Sequence, residues 1–509
     1  MNRMTIHDVR RVGQNRLEYV YTTEGDWSRF FDMSSPMWAE YSIPVEQVPD
    51  SIAVLPLIGN VIVLASLMDA DIYVDEIDRD FYDCIEEFLQ GYDEIMPDHV
   101  HFKTRDIVHP QRIVDNPLSE TEQAENLLFF SGGVDATCSL VTHITEKPAL
   151  VTIWGADIHW EKEDLWNRAI AFNQEVADRH DLKLLTIRSN FRMSLNNDAL
   201  EDYSMKLVHD WWWSAFHHSV SMMCLAAPLA AGNRKHLYFG STYSQKDSKE
   251  WGTYVTASDP LIDNHVHFSG CQVVHDGYEY SRLDKIKCID HFYADKELKP
   301  YLRVCYLSNT GRNCCKCEKC ASTIMALLLA GSNPVDYGFD YDPERFPEYF
   351  AAGVQEMGRA EKYAFLSFYY DIHGAYRQKH TREQVHPTLR AFYDTELDVL
   401  ADFLFVPNNE LAARDQSIRQ HEAQLYREIG QLNYQLQVQQ NQLGQLLQEK
   451  EICQEQCRML TEQRNALQQE NHTWEETVFN MCNSVSWRLT KLLRWMAQKI
   501  RAVKQKLCS

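Results

Sequence analysis

The stretch Asn126-Leu127-Leu128-Phe129-Phe130-Ser131-Gly132-Gly133-Val134-Asp135-Ala136-Thr137-Cys138-Ser139-Leu140 decides how the rest of the chain is read. Leu127 to Phe130 is an apolar run of strand type and length. Ser131-Gly132-Gly133 breaks it. Asp135, Ala136 and Thr137 then open a segment with apolar residues at Val134, Cys138, Leu140 and Val141. A strand, a tight glycine turn and a helix N-terminus make an anion site. Glycine lets the backbone come close, while free N–H groups and the helix dipole face a phosphate. A glycine pair alone fits any strand-to-helix turn of an α/β domain. The full Ser-Gly-Gly-x-Asp string is more specific, and it sits in the matching context.

Outward from this loop, strands and helices alternate. Ala149–Trp154, Lys183–Ile187 and Leu237–Phe239 read as strands, and Lys162–Arg179 as an amphipathic helix. Another helix carries Trp211, Trp212 and Trp213 and runs to about Ala230. The rhythm predicts a parallel sheet with helices on both faces. Ligands of such sheets bind at the carboxyl ends of the strands. Ser131, Gly155 to Asp157, Arg188 to Asn190 and Gly240 to Tyr243 hold those ends, and they are expected to ring one pocket. The three tryptophans point in different directions on a helix, so core packing is favoured over a base-stacking platform. The adjacent His217 and His218 read as structural. His265-Val266-His267 puts two imidazoles on one side of an extended segment but has no third metal ligand nearby in sequence. Ser281 is expected to cap a helix with Asp284 at its third position. Arg282 and Lys285 then share a face, towards a phosphate or substrate acid or towards solvent.

The second strong signal is Cys305, Cys314, Cys317 and Cys320, spaced Cys-x8-Cys-x2-Cys-x2-Cys. Thiolates two residues apart, closed by a further pair, suit a tetrahedral structural zinc. An iron–sulfur cluster is the chemical alternative. Cys315 is left over. Four thiolates leave no open coordination position, so the metal is expected to staple a loop rather than react.

Ser131-Gly132-Gly133-Val134-Asp135 resembles the pyrophosphate loop (PP-loop) of the ATP pyrophosphatases, whose motif is Ser-Gly-Gly-x-Asp-Ser. That family cuts ATP between its α and β phosphates and adenylates a carboxylate, amide or similar oxygen. The resemblance implies an adenine-nucleotide-binding (HUP-like) α/β domain. It implies that Ser131, Gly132, Gly133 and Val134 cradle pyrophosphate, and that the catalytic Asp135 sits near magnesium and the phosphates. Ala136 stands where the motif has serine, and Thr137 is the nearest hydroxyl that could replace it. With the cysteine spacing, residues 124–332 resemble the 7-cyano-7-deazaguanine synthases, the nitrile-forming branch of that family. That branch activates a carboxylate with ATP and adds ammonia. The implied cofactors are ATP, Mg2+ and Zn2+. The implied partners are a small-molecule acid and a nitrogen donor. Synthases of that kind are compact single-domain proteins, so the further regions of this chain depart from them.

The remaining regions divide by composition. Residues 1–118 are expected to be a β-rich N-terminal module with no chemistry of its own. Its strands would be Leu17–Thr22, Met37–Ile43, Ile52–Leu57, Val61–Leu67 and Ile72–Ile77, with a helix at Asp80–Leu89. The apolar window Ile52–Met68 contains Pro56, Gly59 and Asn60 and reads as buried strands, not a membrane span. Residues 119–335 form the expected ATP-binding domain. Residues 336–408 form a helical region, including Met357–Tyr370 and Thr381–Phe403, expected to pack on that domain. Residues 409–480 read as a coiled coil, with Leu411, Ile418, Leu425, Leu432, Leu446, Leu460 and Leu467 on a seven-residue grid. Ile429, Leu436 and Leu443 add the second seam position, and self-association as a homo-oligomer is expected.

Residues 481–509 read as a basic amphipathic tail. Arg488, Lys491, Arg494, Lys499, Arg501, Lys504 and Lys506 alternate with apolar residues, and no acid occurs between them. That composition suits an anionic membrane surface, with docking on an acidic protein body as the alternative. Ser484 to Thr490 also resembles the end of bacterial cell-surface glycosyltransferases with coiled-coil stalks.

The chain has 509 residues and a net charge of −23, which argues against broad electrostatic binding of nucleic acid. That counts against a nucleic-acid-modifying factor like the thiouridine-forming relatives. Fourteen cysteines without a signal-like N-terminus point to a reducing cytoplasm, with peripheral contact at the inner face of the membrane if the tail binds it. The leading expectation is an ATP-dependent ligase acting on a deazapurine or a cell-surface glycan precursor. The alternative is a catalytically decayed nucleotide-binding scaffold.

Overall fold

The computed structural model describes residues 1–397 except 122, 160, 248–255, 298, 306–309 and 349–368, and residues 458–507 except 460, 470 and 471. The chain divides into two units, Met1–Val406 and Pro407–Ser509. In the first, an α/β unit, eleven strands among the described residues form one mixed sheet. They are β1 (Asn2–Val12), β2 (Arg16–Glu24), β3 (Trp38–Tyr41), β4 (Ala70–Asp78), β5 (Val108–Val114), β6 (Leu127–Phe129), β7 (Ala149–Trp154), β8 (Leu184–Ser189), β9 (His236–Gly240), β10 (His267–Phe268) and β11 (Cys271–Asp276). The helices used below are α1 (Leu55–Leu67), α2 (Arg79–Ile95), α3 (Val134–Thr142), α4 (Glu163–His180), α5 (His218–Leu225), α6 (Arg282–Tyr293), α7 (Glu318–Ala330) and, in the second unit, α8 (Val485–Leu507).

The strand order is β10-β11-β9-β6-β7-β8-β3-β2-β1-β4-β5. Strands β11, β9, β6, β7 and β8 are mutually parallel, as the alternating pattern predicts. From β6 the chain winds one way through β7 and β8, then returns to place β9 on the other side. That reversal makes the end of β6 the topological switch point, where α/β sheets leave a crevice for ligands. The Ser131–Asp135 loop sits there.

The N-terminal strands continue this same sheet. Ala39, Glu40 and Tyr41 of β3 pair antiparallel with Ser189, Arg188 and Ile187 of β8. Strands β2, β3 and β4 and helix α2 fall where the sequence places them. Asp78 caps α2 by accepting the Phe81 N–H at 3.2 Å. Strand β1 escaped notice because only Met4 and Ile6 are buried in a polar segment.

One expectation for the N-terminal strands is overturned. Ile52–Leu57 and Val61–Leu67 are not strands. They lie in a short helix, Asp50–Ala53, and in α1, which is buried from Leu55 to Ser66. An apolar run without alternation cannot separate a buried strand from a buried helix. The three residues that looked like breakers have other uses. Pro56 lies in the first turn, where a missing N–H costs nothing. Asn60 donates to the Phe191 carbonyl at 3.1 Å and pairs with His217 Nε2 at 2.8 Å. Gly59 faces α5, where an added Cβ would lie 2.3 Å from Cys224 Cβ. Gly59→Ala should therefore destabilise the fold by about 1–3 kcal/mol in denaturant unfolding, despite alanine's better helix propensity. Cys224→Ala keeps the clashing Cβ and should not rescue it.

His217 is structural, as expected. It is buried among Phe191, Trp212 and Trp213. Burial, with the nearby Arg192 charge, pushes its pKa down from 6.5 to about 3. The folded state thus holds it neutral while the unfolded chain takes up a proton. Its contribution to stability is complete above pH 6.5 and is lost as pH falls towards about 3, by about 1.4 kcal/mol per unit. Acid titration of the unfolding free energy should show this slope, and His217→Gln, which keeps an amide for Asn60, should flatten it.

Of the tryptophans, Trp212 is core and Trp211 is exposed. Their segment is not one helix. It divides into Trp213–His217, α5 and Ala227–Ala230. Thr381–Phe403 is likewise not continuous. Pro387 opens a short turn of helix at Pro387–Leu389, followed by Arg390–Asp394. This region packs as expected. Ile372, Tyr376, Leu389 and Phe392 share a core with Cys320 and Ile324, and Tyr376 donates to the Met325 carbonyl at 2.9 Å. Residues 357–368 of the other expected helix, and the coiled-coil positions Leu411 to Leu446 and Leu460, lie outside the described residues. Leu467 is helical and exposed. No helix among the described residues is long and apolar enough to cross a membrane.

Candidate functional site

Strand β6 ends at Phe129, and the Phe130 N–H still donates to Val151 at 2.8 Å. The chain then turns through Gly132, whose φ of +78° is left-handed, and Gly133 caps α3. Arg303 holds the loop from the opposite side. Its backbone N–H donates to the Gly132 carbonyl at 2.7 Å. Its guanidinium donates twice to the Ser131 carbonyl, at 3.0 and 2.7 Å. Arg303 thus occupies two loop carbonyls, while the first-turn N–H groups of α3, which have no acceptor within the helix, are the backbone donors a ligand would meet. Ser131, Gly133, Val134 and Asp135 line a cavity together with Asp157, Ile158, Leu165, Arg282, Arg303, Val304, Cys305 and Lys319.

Asp135 is the centre of charge. Lys285 Nζ lies 3.3 Å and Arg282 Nη1 3.6 Å from its carboxylate oxygens. Both cations are buried, which removes the solvated-face reading of α6. The capping of α6 follows expectation, since Ser281 Oγ accepts the Asp284 N–H at 3.3 Å. Asp157, at the other wall, accepts from Trp213 Nε1 at 3.1 Å. Burial lowers the Arg303 pKa while the Asp157 charge acts against it. In an acidic chain, cations outnumber carboxylates here, so the local field favours a polyanion. Ile158 and Leu165, part of a small cluster with the stacked Trp154 and Trp166, give one wall an apolar face.

Several expected residues lie elsewhere. Thr137 is buried, and Ala136 packs with Leu128 and Leu140. Neither lines the cavity. Arg188 to Asn190 do not reach it either. Arg188 stacks on Trp154 and pairs with Glu40 at 3.4 Å, while Asn190 accepts the Trp38 N–H at 2.7 Å. They join β8 to β3, a role that exists because the N-terminal strands extend the same sheet. His265 pairs with Glu87 at 3.1 Å.

Gly240 to Tyr243 act from behind. Ser241 Oγ lies 2.8 Å from His275 Nε2, and His275 Nδ1 lies 2.7 Å from Asp263. The connectivity is that of a Ser-His-Asp triad, but Ser241 is buried and its hydroxyl donates to the Tyr243 carbonyl. The group instead braces Lys285, whose ammonium donates to the Ser241 carbonyl. Sequence reasoning missed His275 and Asp263 because nothing in their spacing links them to the loop.

The cysteine cluster forms as the spacing predicts. The sulfurs of Cys305, Cys314, Cys317 and Cys320 all lie within 4.8 Å of one another. Cys314–Cys320 is 4.0 Å and Cys305–Cys317 3.9 Å. Zinc–sulfur bonds of about 2.3 Å place tetrahedral sulfurs about 3.8 Å apart, so the pocket is compatible with zinc. Cys314 Sγ also accepts the N–H groups of Lys316 and Cys317, at 3.4 and 3.3 Å. Such donors help hold thiolate charge. Cys315 turns away at φ +60° towards the Asn313 carbonyl, and burial pushes its pKa up to about 12. Asn313 ties the loop together, accepting from the Val304 and Cys305 N–H groups and donating to Leu302 and Gly338. Arg303, held against the Ser131–Gly133 turn, is two residues from Cys305, which also lines the cavity, so the cysteine cluster and the cavity share one wall.

Compared with protein-family models, with curated proteins and with solved structures, the chain finds no match.

Proposed function

We propose that the chain is an ATP-dependent ligase of the pyrophosphatase-loop, HUP-like kind, which adenylates a carboxylate or amide oxygen for attack by a nitrogen nucleophile. The observation that carries this reading is the placement of Asp135 on the first turn after a left-handed glycine, in a cavity with two buried cations beside it. The residues present suit Mg-ATP. Ser131, Gly133 and the α3 N-terminus would hold the phosphates. Lys285, Arg282, Arg303 and Lys319 would offset their charge, and Asp135 with Asp157 would hold magnesium. Ile158 and Leu165 would cover the base. Bound ATP would supply an electrophilic α-phosphorus and pyrophosphate as leaving group. Zinc on the four cysteines would keep Arg303 against Ser131 and take no part in bond making.

The resemblance to 7-cyano-7-deazaguanine synthases makes a carboxylated deazapurine the first acid to try, and the tail makes glycan acids the second. Full-length zinc-loaded protein with Mg-ATP, ammonium and each acid in turn should release AMP and pyrophosphate in equal amounts. Release of ADP and phosphate instead would overturn the proposal. The buried Thr137, which leaves the missing loop serine without a substitute, favours the second reading of a decayed scaffold. That reading expects no AMP with any acid.

A further inference from the structure

We propose that α8 is a membrane-surface helix that recognises anionic lipid. It spans 23 residues, about 34 Å at 1.5 Å per residue. Leu489, Leu493, Met496, Ile500 and Val503 recur at intervals of four and three, which aligns them on one stripe. Leu492 widens it. These six side chains are 47–62% exposed, far more than large apolar residues in a folded contact. Arg488, Lys491, Arg494, Lys499, Arg501 and Lys504 surround the stripe, and no acidic residue occurs from Ser484 to Leu507. Trp495 lies beside the stripe, with Lys499 Nζ 5.6 Å from its ring. A narrow apolar stripe, tryptophan and an unbroken cationic surround match a helix lying in the headgroup region. The helix is not apolar enough to cross.

The same four-three spacing also describes a coiled-coil seam, and charge separates the two. With Leu493 and Ile500 at a positions and Met496 and Val503 at d, Lys499 falls at g and Lys504 at the following e. A parallel pair of such helices would set lysine against lysine at the flanks that normally carry opposite charges. An anionic bilayer meets every one of these cations with an opposite charge, each contributing about fivefold in affinity.

The test is flotation of the full-length protein with vesicles of phosphatidylcholine, with and without about one third phosphatidylglycerol. The protein should float with the anionic vesicles, stay behind with the neutral ones and be released by high salt. Lys499→Glu with Lys504→Glu should weaken binding by at least about tenfold. Met496→Asp with Ile500→Asp should abolish it, with the thermal midpoint and helix content of the protein unchanged. Equal flotation on neutral vesicles, or wild-type binding by either double variant, would overturn the proposal. So would absence of flotation. If sedimentation then showed an oligomer that Met496→Asp disperses, the stripe would be a coiled-coil seam; a monomer that fails to float would mean docking on an acidic protein surface.

Discussion

In Asp135→Ala, Mg-ATP binding should fall below detection in calorimetry, and the thermal midpoint should fall with it. Two effects combine. The carboxylate is the one acid on the first turn of α3 at the cavity, so its loss removes a magnesium ligand under the proposed function. It also leaves Lys285, only 1% exposed, with the Ser241 carbonyl and no carboxylate. Deleting one partner of a buried charge pair costs about 3–5 kcal/mol. The Asp135 side chain is 22% exposed, so water relieves part of this and about 2–3 kcal/mol is expected. Asp135→Asn separates the two effects. It keeps an oxygen for the Lys285 ammonium and removes the charge. Its thermal midpoint should also fall, but by less than that of Asp135→Ala, since Lys285 keeps a polar partner though no counter-charge. Its Mg-ATP affinity should drop about 100-fold, as when about 3 kcal/mol of charge pairing is lost. An Asp135→Asn protein that binds Mg-ATP like the parent would show that the loop holds no metal nucleotide.

Under the proposed function, with one zinc on the four cysteines, Cys320→Ser should bring the zinc content to near none and strongly destabilise the first unit. Structural zinc sites contribute about 10–16 kcal/mol of apparent binding free energy, and that energy is also folding energy. Cys320 is fully buried in the core that joins α7 to Tyr376 and Phe392, so the loss would spread beyond the loop. Arg303 would lose its fixed place against Ser131, and nucleotide binding should weaken even though Cys320 itself does not line the cavity. Cys315→Ser is the control. Its sulfur faces Asn313 and stands outside the tetrahedron, so metal content should be unchanged. Metal analysis of the two variants decides the ligand set. Zinc retained in Cys320→Ser, or lost in Cys315→Ser, would contradict the four-cysteine assignment.

The loop, the parallel strands and the cysteine set were legible because each rests on local chemistry. Phe129 to Asp135 names a strand end, a left-handed turn and a helix start within seven residues. Cys314, Cys317 and Cys320 are close enough in sequence that backbone geometry alone brings them together, with Cys305 returning to close the site. The N-terminal third was less legible. Weak alternation identified β2, and apolar strand-like runs β3 and β4, but Leu55 to Ser66 is an apolar run of the same kind with polar residues only where another element needs them, and no period shows.

The sequence by itself determined the glycine turn, its strand-loop-helix frame, the clustering of the four cysteines and the cap of α6, since these depend on residues at most a few turns apart. Only the tertiary structure decided that Arg282 and Lys285 turn inward to Asp135 and that Arg303 clasps the loop. The same holds for His275 and Asp263 behind Lys285, and for Arg188 to Asn190, which serve the β3 junction rather than the cavity. Each of those outcomes depends on which elements become neighbours in the sheet. A cation reads as solvated in the sequence until a carboxylate from another element comes within about 4 Å, where a shared low-dielectric site makes pairing favourable.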